Sequence, residues 1–451
     1  MNPELALKYA TPVPRYTSYP TAPHFSTDID HRTYRRWLSE LNDEPLSLYV
    51  HIPFCDTLCW YCGCATKATR RYDPVANYMD ALLGEVAEVA DSVGKKRRVS
   101  HVHWGGGSPN ILEPADILRL AHRLQDAFDW AVDAEFAVEI DPRRLDDARV
   151  AAFAEAGVTR VSLGVQDFAK DVQEAINRLQ SFEQTRDALT RFRSAGVGSV
   201  NIDLVYGLPH QTRDSVANTI DQVLELAPDR IALFGYAHLP QRITHQRLID
   251  TATLPGAIER FAQSNRVANH ILDAGYVRVG LDHFAKPGDA LAKRAVKRNF
   301  QGYTSDDADI LIGFGASAIG HLPQGYVQNT VPTAEYIRNV RSDRGLAVVR
   351  GFALSEEDRA RSFVINGLMC DLVFSLRAVR AQYGGALAEQ LEEEAEMVID
   401  ADVDGLVERT PDGFRITEKG RPFVRSICAC FDAYLERSTA AGKSPRYSVG
   451  V

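Results

Sequence analysis

The run Tyr49-Val50-His51-Ile52-Pro53-Phe54-Cys55 continues through Asp56-Thr57-Leu58 to Cys59, through Trp60-Tyr61 to Cys62, and through Gly63 to Cys64. Leu48 to Ile52 reads as a short β-branched and aromatic strand that Pro53 stops. Directly beyond it, four of the chain's seven cysteines fall within ten residues, in a Cys-x3-Cys-x2-Cys spacing followed by Cys64. The others are Cys370, Cys428 and Cys430. An odd count clustered this tightly argues against a disulfide framework and for a metal or redox site. Its place, just past a strand, is where an α/β active site begins.

The pattern repeats outward from that point. Further candidate strands are Val99 to Trp104, Glu135 to Ile140, Thr159 to Leu163, Val200 to Leu204 and Arg230 to Phe234. Helix-length segments lie between them, including Pro74 to Val89, Asp116 to Phe128, Leu145 to Ala156 and Thr212 to Leu226. Six strands between Ser47 and Phe234 give one unit per ~31 residues, the size of a βα unit. Gly157 and Gly196 stand where helix C-caps belong. Repeated βα units imply a parallel sheet, either doubly wound or curved into a barrel. After His238-Leu239-Pro240 the rhythm weakens, although Ala257 to Ala274 reads as one more helix.

The stretch from Ser355 to Leu435 differs in character. Ser355 is a candidate N-cap with Glu356, Glu357 and Asp358 in the first turn behind it. Leu406 to Thr417 reads as a hairpin turning at Pro411-Asp412-Gly413. Helices, a hairpin and another helix suggest a small winged-helix-like domain, but the acidic run Glu392-Glu393-Glu394, with Glu396 beyond, speaks against DNA binding. The expected division is an N-terminal extension over 1–46 packing near the active site, an α/β domain with its extension over 47–350, and a mostly helical domain over 351–451. No internal repeat or low-complexity segment is visible, and the tail after Ser438 is expected to be mobile.

Composition bounds the rest. At 451 residues the chain exceeds what one hydrophobic core usually fills. Its 45% hydrophobic and 25% charged residues are globular averages and exclude a disordered chain. Sixty acidic against 51 basic residues, net −9, give no chain-wide footprint for nucleic acid. No run approaches the roughly 18 apolar residues of a membrane span. The start, Met-Asn-Pro-Glu-Leu-Ala-Leu-Lys, lacks the regions of a signal peptide, so a cytoplasmic location is expected.

Three thiolates cannot close a four-iron cluster, whose usual complement is four cysteines, so one iron would stay open to an outside ligand. The alternative is a structural zinc site, which normally shows paired Cys-x2-Cys knuckles; Cys62 and Cys64 are too close to form a second knuckle. One βα unit later, the second strand ends in His103-Trp104-Gly105-Gly106-Gly107-Ser108-Pro109. Three glycines let backbone approach a ligand closely, although alone they would equally suit an ordinary strand-to-helix turn.

The cysteine run resembles the oxygen-independent coproporphyrinogen III oxidase family of the radical S-adenosylmethionine superfamily. Supporting segments are Arg15-Tyr16-Thr17-Ser18-Tyr19-Pro20-Thr21, Gly164-Val165-Gln166-Asp167-Phe168, Asn201 to Pro209, Tyr236-Ala237-His238-Leu239-Pro240, Asp282-His283-Phe284-Ala285, Arg298 to Tyr303 and Gly315 to Ile319. The resemblance runs from about Leu7 to Tyr434. It implies a partial, three-quarter (β/α)6 barrel, a [4Fe-4S] cluster and two molecules of S-adenosylmethionine. By motif, Cys55, Cys59 and Cys62 match the cluster ligands. Tyr49 matches a catalytic position contacting the cofactor on the cluster, and Gly106 and Glu139 match positions that also hold it. Tyr61, Gly107, Ser108, Gln166, Arg178, Asp203, Ala237 and Ile319 match positions shared between the two cofactor molecules. Two departures stand out: Ser108 replaces the usual Thr, keeping the hydroxyl, and Tyr61 replaces a common Phe.

Cys64 matches a fourth cysteine that does not ligate the cluster yet is needed for activity; related haem-trafficking proteins typically carry Phe there. The implied reaction turns two propionates of coproporphyrinogen III into the vinyls of protoporphyrinogen IX in haem biosynthesis, through a 5′-deoxyadenosyl radical. It implies an electron donor of flavodoxin or ferredoxin type, an unidentified electron acceptor, and a monomer. Arg15, Lys67, Arg70, Arg71 and Arg298 are the candidates for pairing with the propionates. The competing readings are a radical S-adenosylmethionine relative acting on another substrate, and a haem-binding chaperone on the same scaffold, with His24, His31 or His283 as ligands.

Overall fold

The computed structural model describes residues 3–435 and residue 447; the tail expected to be mobile after Ser438 lies, Tyr447 apart, outside the described residues. One twelve-stranded sheet organises the molecule. Its strands are β1 (Leu46–Ile52), β2 (Arg98–Gly106), β3 (Asp129–Ile140), β4 (Arg160–Gln166), β5 (Ser199–Tyr206), β6 (Arg230–Gly235), β7 (Val277–Val279), β8 (His283–Ala285), β9 (Ile310–Phe314), β10 (Ile319–Leu322), β11 (Gly325–Asn329) and β12 (Val348–Ala353). They lie in the order β12-β11-β10-β9-β1-β2-β3-β4-β5-β6-β8-β7.

The six strands expected from the sequence are all present and successive ones pair in parallel. Beside β1 stands a further parallel strand, β9, with Tyr49 opposite Gly313. Antiparallel strands extend both ends. The order runs from edge to edge without closing on itself, which fits a partial barrel. β1 and β9 are buried along nearly their whole length on both faces, as strands sheathed by crossover helices must be.

The connections follow the sequence signals. The predicted helices are Asp73–Val93, Pro114–Ala127, Asp147–Glu155 and Arg213–Glu225, with Phe182–Ser194 added between β4 and β5. Asp146 caps one, and capping boxes start two others, Ser181 with Gln184 and Thr212 with Ser215. Gly157 and Gly196 take left-handed backbone, φ 90° and 89°, just before β4 and β5. The apolar faces of these helices and strands merge into one core around Trp104, Phe136, Phe153 and Phe192.

A second core belongs to the C-terminal segment. It comprises the helices Glu356–Asp371, Leu376–Tyr383 and Gly385–Ala401, a three-stranded antiparallel sheet of 373–375, 413–416 and 407–410, and the helix Val424–Ala429. Ser355 caps the first helix with Asp358 completing the capping box, and the hairpin turns at Pro411-Asp412 as expected. Leu5, Ala6, Tyr16 and Tyr19 from the start of the chain pack into this core. Polar contacts fasten them there: Lys8 pairs with Asp404 at 2.5 Å, Tyr16 donates to Asp432 at 3.1 Å, and Arg425 donates to the Pro14 carbonyl at 2.8 Å.

Candidate functional site

The C-terminal ends of the parallel strands surround a cavity of about 550 Å³. The cysteine loop that leaves β1 forms one wall, and the rest of the fold holds it from several sides. Asn177 donates to the Leu58 carbonyl at 2.9 Å. The fully buried Gln246 donates to the Tyr61 carbonyl at 3.0 Å and the Ala237 carbonyl at 3.1 Å, joining the loop to the exit of β6. His51 Nε2 lies 2.9 Å from the Ala65 carbonyl and Nδ1 lies 2.9 Å from the Tyr49 hydroxyl. The carbonyl requires a donor, so Nε2 carries the proton and Nδ1 accepts from Tyr49. Burial pushes the His51 pKa down, keeping the ring neutral in that role.

Cys55, Cys59, Cys62 and Cys64 all line the cavity. Ser108 donates to Cys55 Sγ at 3.7 Å, and Arg143 and Arg178 each donate to Cys59 Sγ at 3.6 Å. Burial raises the Cys55 thiol to about 11, whereas its bond with Cys64 lowers Cys62 to about 7. Among the described residues, no three His, Cys, Asp or Glu side chains converge so as to hold one metal ion. Cys55, Cys59 and Cys62 share one cavity lining, and a set of three thiols is the complement that leaves one iron of a four-iron cluster open.

The glycine turn faces them. Gly106 has φ 106°, and its N–H donates to Glu139 at 3.1 Å. Gly107 N–H donates to the Ile52 carbonyl, and Ser108 N–H to the Phe54 carbonyl, both at 2.8 Å. A Cβ on Gly107 would lie 2.4 Å from the Phe54 oxygen, so only glycine lets the two loops meet this closely.

Carboxylates and an amide close the circle. Glu139, at the end of β3, also accepts from His103 at 3.1 Å. Burial works to raise its pKa, but the His103 and Gly106 bonds hold it below the usual carboxylate range. Asp203 on β5 accepts from Ser162 at 2.6 Å and Asn201 at 2.7 Å, while burial raises its pKa. Gln166 ends β4 at φ 72°, a left-handed conformation that costs a non-glycine residue about 1 kcal/mol and is characteristic of functional positions.

Of the residues singled out in the sequence, Tyr61, Gly106, Gly107, Ser108, Glu139, Gln166, Arg178, Asp203 and Ala237 line the same cavity as the four cysteines. Tyr49 and Ile319 are not in that lining: the Tyr49 ring stacks on His103 at 5.9 Å, and Ile319 opens β10. Among the proposed propionate partners only Arg15 lines the cavity. Lys67 is exposed and reaches Thr333 at 2.5 Å, Arg70 and Arg71 are exposed outside the lining, and Arg298 lines a smaller neighbouring cavity. None of His24, His31 and His283 lines the large cavity.

Sequence reasoning missed Asp141 and Arg143, which sit two and four residues past Glu139. Asp141 pairs with Arg143 at 2.6 Å and Arg178 at 3.3 Å, and these two arginines hold its carboxyl far below the usual range against the pull of burial. The signal was present: Asp141-Pro142-Arg143 leaves a strand already marked by Glu139.

The family profile described as the radical SAM superfamily matches residues 49–223, and the HemN C-terminal domain matches 354–423. The oxygen-independent coproporphyrinogen III oxidase of Bradyrhizobium diazoefficiens is 47% identical over 97% of this chain and 98% of its own length. That of Paracoccus denitrificans is 44% identical over 94% of each chain. The solved structure of coproporphyrinogen III oxidase from Escherichia coli, described as a radical SAM enzyme, is 39% identical with a TM-score of 0.89, covering 93% of this chain and 97% of that one.

Proposed function

We infer the reaction from one premise: this chain belongs to the oxygen-independent coproporphyrinogen III oxidase family of radical S-adenosylmethionine enzymes. It is an oxidoreductase that decarboxylates two propionates of coproporphyrinogen III to vinyls, giving protoporphyrinogen IX. The observation that carries this reading is the meeting of three thiols, a glycine turn and two strand-end carboxylates in one cavity. When bound, a [4Fe-4S] cluster with S-adenosylmethionine supplies a 5′-deoxyadenosyl radical that abstracts hydrogen from a propionate β-carbon.

Cys55, Cys59 and Cys62 would hold the cluster. Arg143 and Arg178 direct N–H groups at Cys59 and temper the negative charge on its sulfur. The Gly105 to Gly107 turn presents backbone at the cavity wall, where an ammonium finds carbonyl acceptors. Glu139 and Asp203, strand-end carboxylates of one cavity, suit ribose hydroxyls, Glu139 on the first S-adenosylmethionine and Asp203 shared between the two. Gln166 and Arg178 suit a methionine carboxylate. Tyr49 is assigned the position contacting the cofactor on the cluster, and its hydroxyl also donates to His51, which holds the loop at the Ala65 carbonyl. Ile319 remains assigned on resemblance alone. Arg15 reaches the cavity as the nearest cation for an incoming propionate.

Cys64 donates its N–H to Cys62 Sγ at 3.4 Å and its thiol also bonds that sulfur, a place that suits a proton or hydrogen relay beside the cluster. The three-part division at residues 46 and 350, and a winged-helix-like reading of the C-terminal unit, rest on its separate core and hairpin. An electron donor of flavodoxin or ferredoxin type and a separate acceptor follow from the one-electron chemistry, and we assign a cytoplasmic monomer. No helix among the described residues is long and apolar enough to cross a membrane.

The test is anaerobic reconstitution with iron and sulfide, then incubation with S-adenosylmethionine, reductant and coproporphyrinogen III. Protoporphyrinogen IX formed together with 5′-deoxyadenosine is the expected result. Deoxyadenosine without porphyrinogen turnover would move the substrate assignment to another molecule, and stoichiometric haem binding without turnover would favour a chaperone.

A further inference from the structure

Beside the main cavity lies a second of about 60 Å³, and the two share Arg15, Phe234, Gly235 and Tyr236 as a common wall. Five arginines line the smaller one: Arg15, Arg260, Arg278, Arg298 and Arg425, with Asp282 the one carboxylate in its lining. They arrive from five places in the chain, namely the N-terminal segment, the helix Ala257–Asp273, β7, the short strand Lys297–Asn299 and the helix Val424–Ala429. Gathering like charges at a buried site is costly unless something anionic occupies it.

Arg425 is bonded to the Pro14 carbonyl and Arg278 Nη2 to that of Leu281, but Arg298 and Arg278 keep buried guanidinium N–H groups with no hydrogen-bond partner among the described residues. Arg298 is 9% exposed, yet its Nε and Nη1 make no hydrogen bond among the described residues; Asp282 lies 3.6 Å from Nη1 and the Tyr303 ring covers the face. Arg278 Nε is likewise buried without a hydrogen-bond partner. Arg15 and Arg260 are steered rather than neutralised, donating at 2.8 Å to the Gly235 and Tyr236 carbonyls on the shared wall. Burial, reinforced by neighbouring arginines, lowers Arg278 and Arg425 to about 10, the direction an anion would reverse.

We propose that this arginine cage is a carboxylate site that receives one propionate of the tetrapyrrole while another propionate stands in the main cavity. The inference rests on the family reaction and names the residues that would anchor its substrate. A space of about 60 Å³ beside one of about 550 Å³ suits a carboxylate arm, with the macrocycle in the larger cavity. A propionate arm is long enough to enter while its macrocycle stays on the cluster side of the wall. Bidentate guanidinium contacts would fix the arm's direction, and so select which β-carbon faces the radical. The same carboxylate chemistry is carried by the methionine end of S-adenosylmethionine, so the test has an arm for each source.

Binding is read on the anaerobically reconstituted chain by fluorescence titration with coproporphyrin III, the stable oxidised form carrying all four propionates, and with its tetramethyl ester. S-adenosylmethionine binding is read calorimetrically. The unaltered protein should hold the free acid at least tenfold more tightly than the ester. Arg278→Gln and Arg298→Gln should each weaken the free acid about ten- to a hundredfold, the worth of a lost charged hydrogen bond, and leave the cofactor's Kd within twofold. In turnover, KM should rise more than kcat falls. Equal affinity for acid and ester by the unaltered protein overturns the cage without recourse to any variant. Loss of S-adenosylmethionine binding in place of porphyrin binding overturns the substrate assignment. If acid–ester discrimination persists while coproporphyrinogen III is not converted, the cage stands and the family reaction falls.

Discussion

Replacing Gly107 with alanine probes the contact on which the site's geometry depends. The new Cβ would stand 2.4 Å from the Phe54 carbonyl oxygen, 2.8 Å from that of Ile52, and 2.7 Å from the Thr66 hydroxyl. Thr66 can turn away, but the two carbonyls are backbone and already accept from Ser108 and Gly107. Relief requires the glycine turn and the cysteine loop to separate by about 1 Å. Overpacking on this scale costs about 1–3 kcal/mol of stability. A displacement of about 1 Å between positioning groups costs on the order of a hundredfold in rate. Gly107→Ala should therefore still fold, with a Tm a few degrees lower, take up iron, and turn over coproporphyrinogen III about a hundredfold more slowly. Gly198→Ala, whose Cβ would meet nothing closer than 4.0 Å, serves as control. Anaerobic turnover, iron content and thermal unfolding are measured side by side. A Gly107→Ala enzyme within threefold of the parent would refute the idea that this close approach sets the geometry.

Glu85 gives a pH test: burial raises its pKa from 4.5 to about 7 despite bonds from Tyr336, Gly315 and Asn329. The folded state thus keeps a proton that the unfolded chain has lost, so stability falls as pH rises from about 4.5 through 7, by at most about 3 kcal/mol, and Glu85→Gln should flatten the Tm profile there. Cys64→Ser should retain iron like the parent while losing product formation, whereas Cys55→Ser, Cys59→Ser and Cys62→Ser should each lose the cluster, as iron analysis and electron paramagnetic resonance will show. Arg143→Gln removes a cationic donor 3.6 Å from the Cys59 sulfur and should make the cluster harder to reduce, read as a lower midpoint in a redox titration. Ser355→Ala breaks the capping box of Glu356–Asp371 and should lower stability by about 1 kcal/mol in urea unfolding.

The parallel strands were legible because each is a β-branched run bounded by a glycine or proline stop, and because residues marking the site cluster at strand ends, where topology collects them. β9 escaped notice for the opposite reason. Its run Ile310-Leu311-Ile312-Gly313-Phe314 is short and broken by glycine, and its partner β1 lies some 260 residues earlier in the chain. Lys67, Arg70 and Arg71 were plausible from their nearness to the thiols in sequence, yet they face outward. Arg260, Arg278 and Arg425 carry no local pattern, since only the packing of five separate elements makes them neighbours. Tyr49 was recognisable by motif, but its hydrogen bond to His51, which in turn reaches the Ala65 carbonyl, is visible only in the fold.

The stitching of residues 5–19 into the C-terminal core has a consequence for how the protein is made. Leu5 and Tyr16 emerge first from the ribosome, whereas Asp432, Arg425 and Asp404 emerge near the end. Arg15, which donates to the Gly235 carbonyl, lies between Pro14 and Tyr16, whose partners Arg425 and Asp432 come late in the chain. A chain ending before Arg425 would carry the four thiols of the cavity but lack the anchors of the segment that holds Arg15. The segment that carries Arg15 to the cavity wall is thus fastened at both flanks by residues more than 400 positions further along the chain.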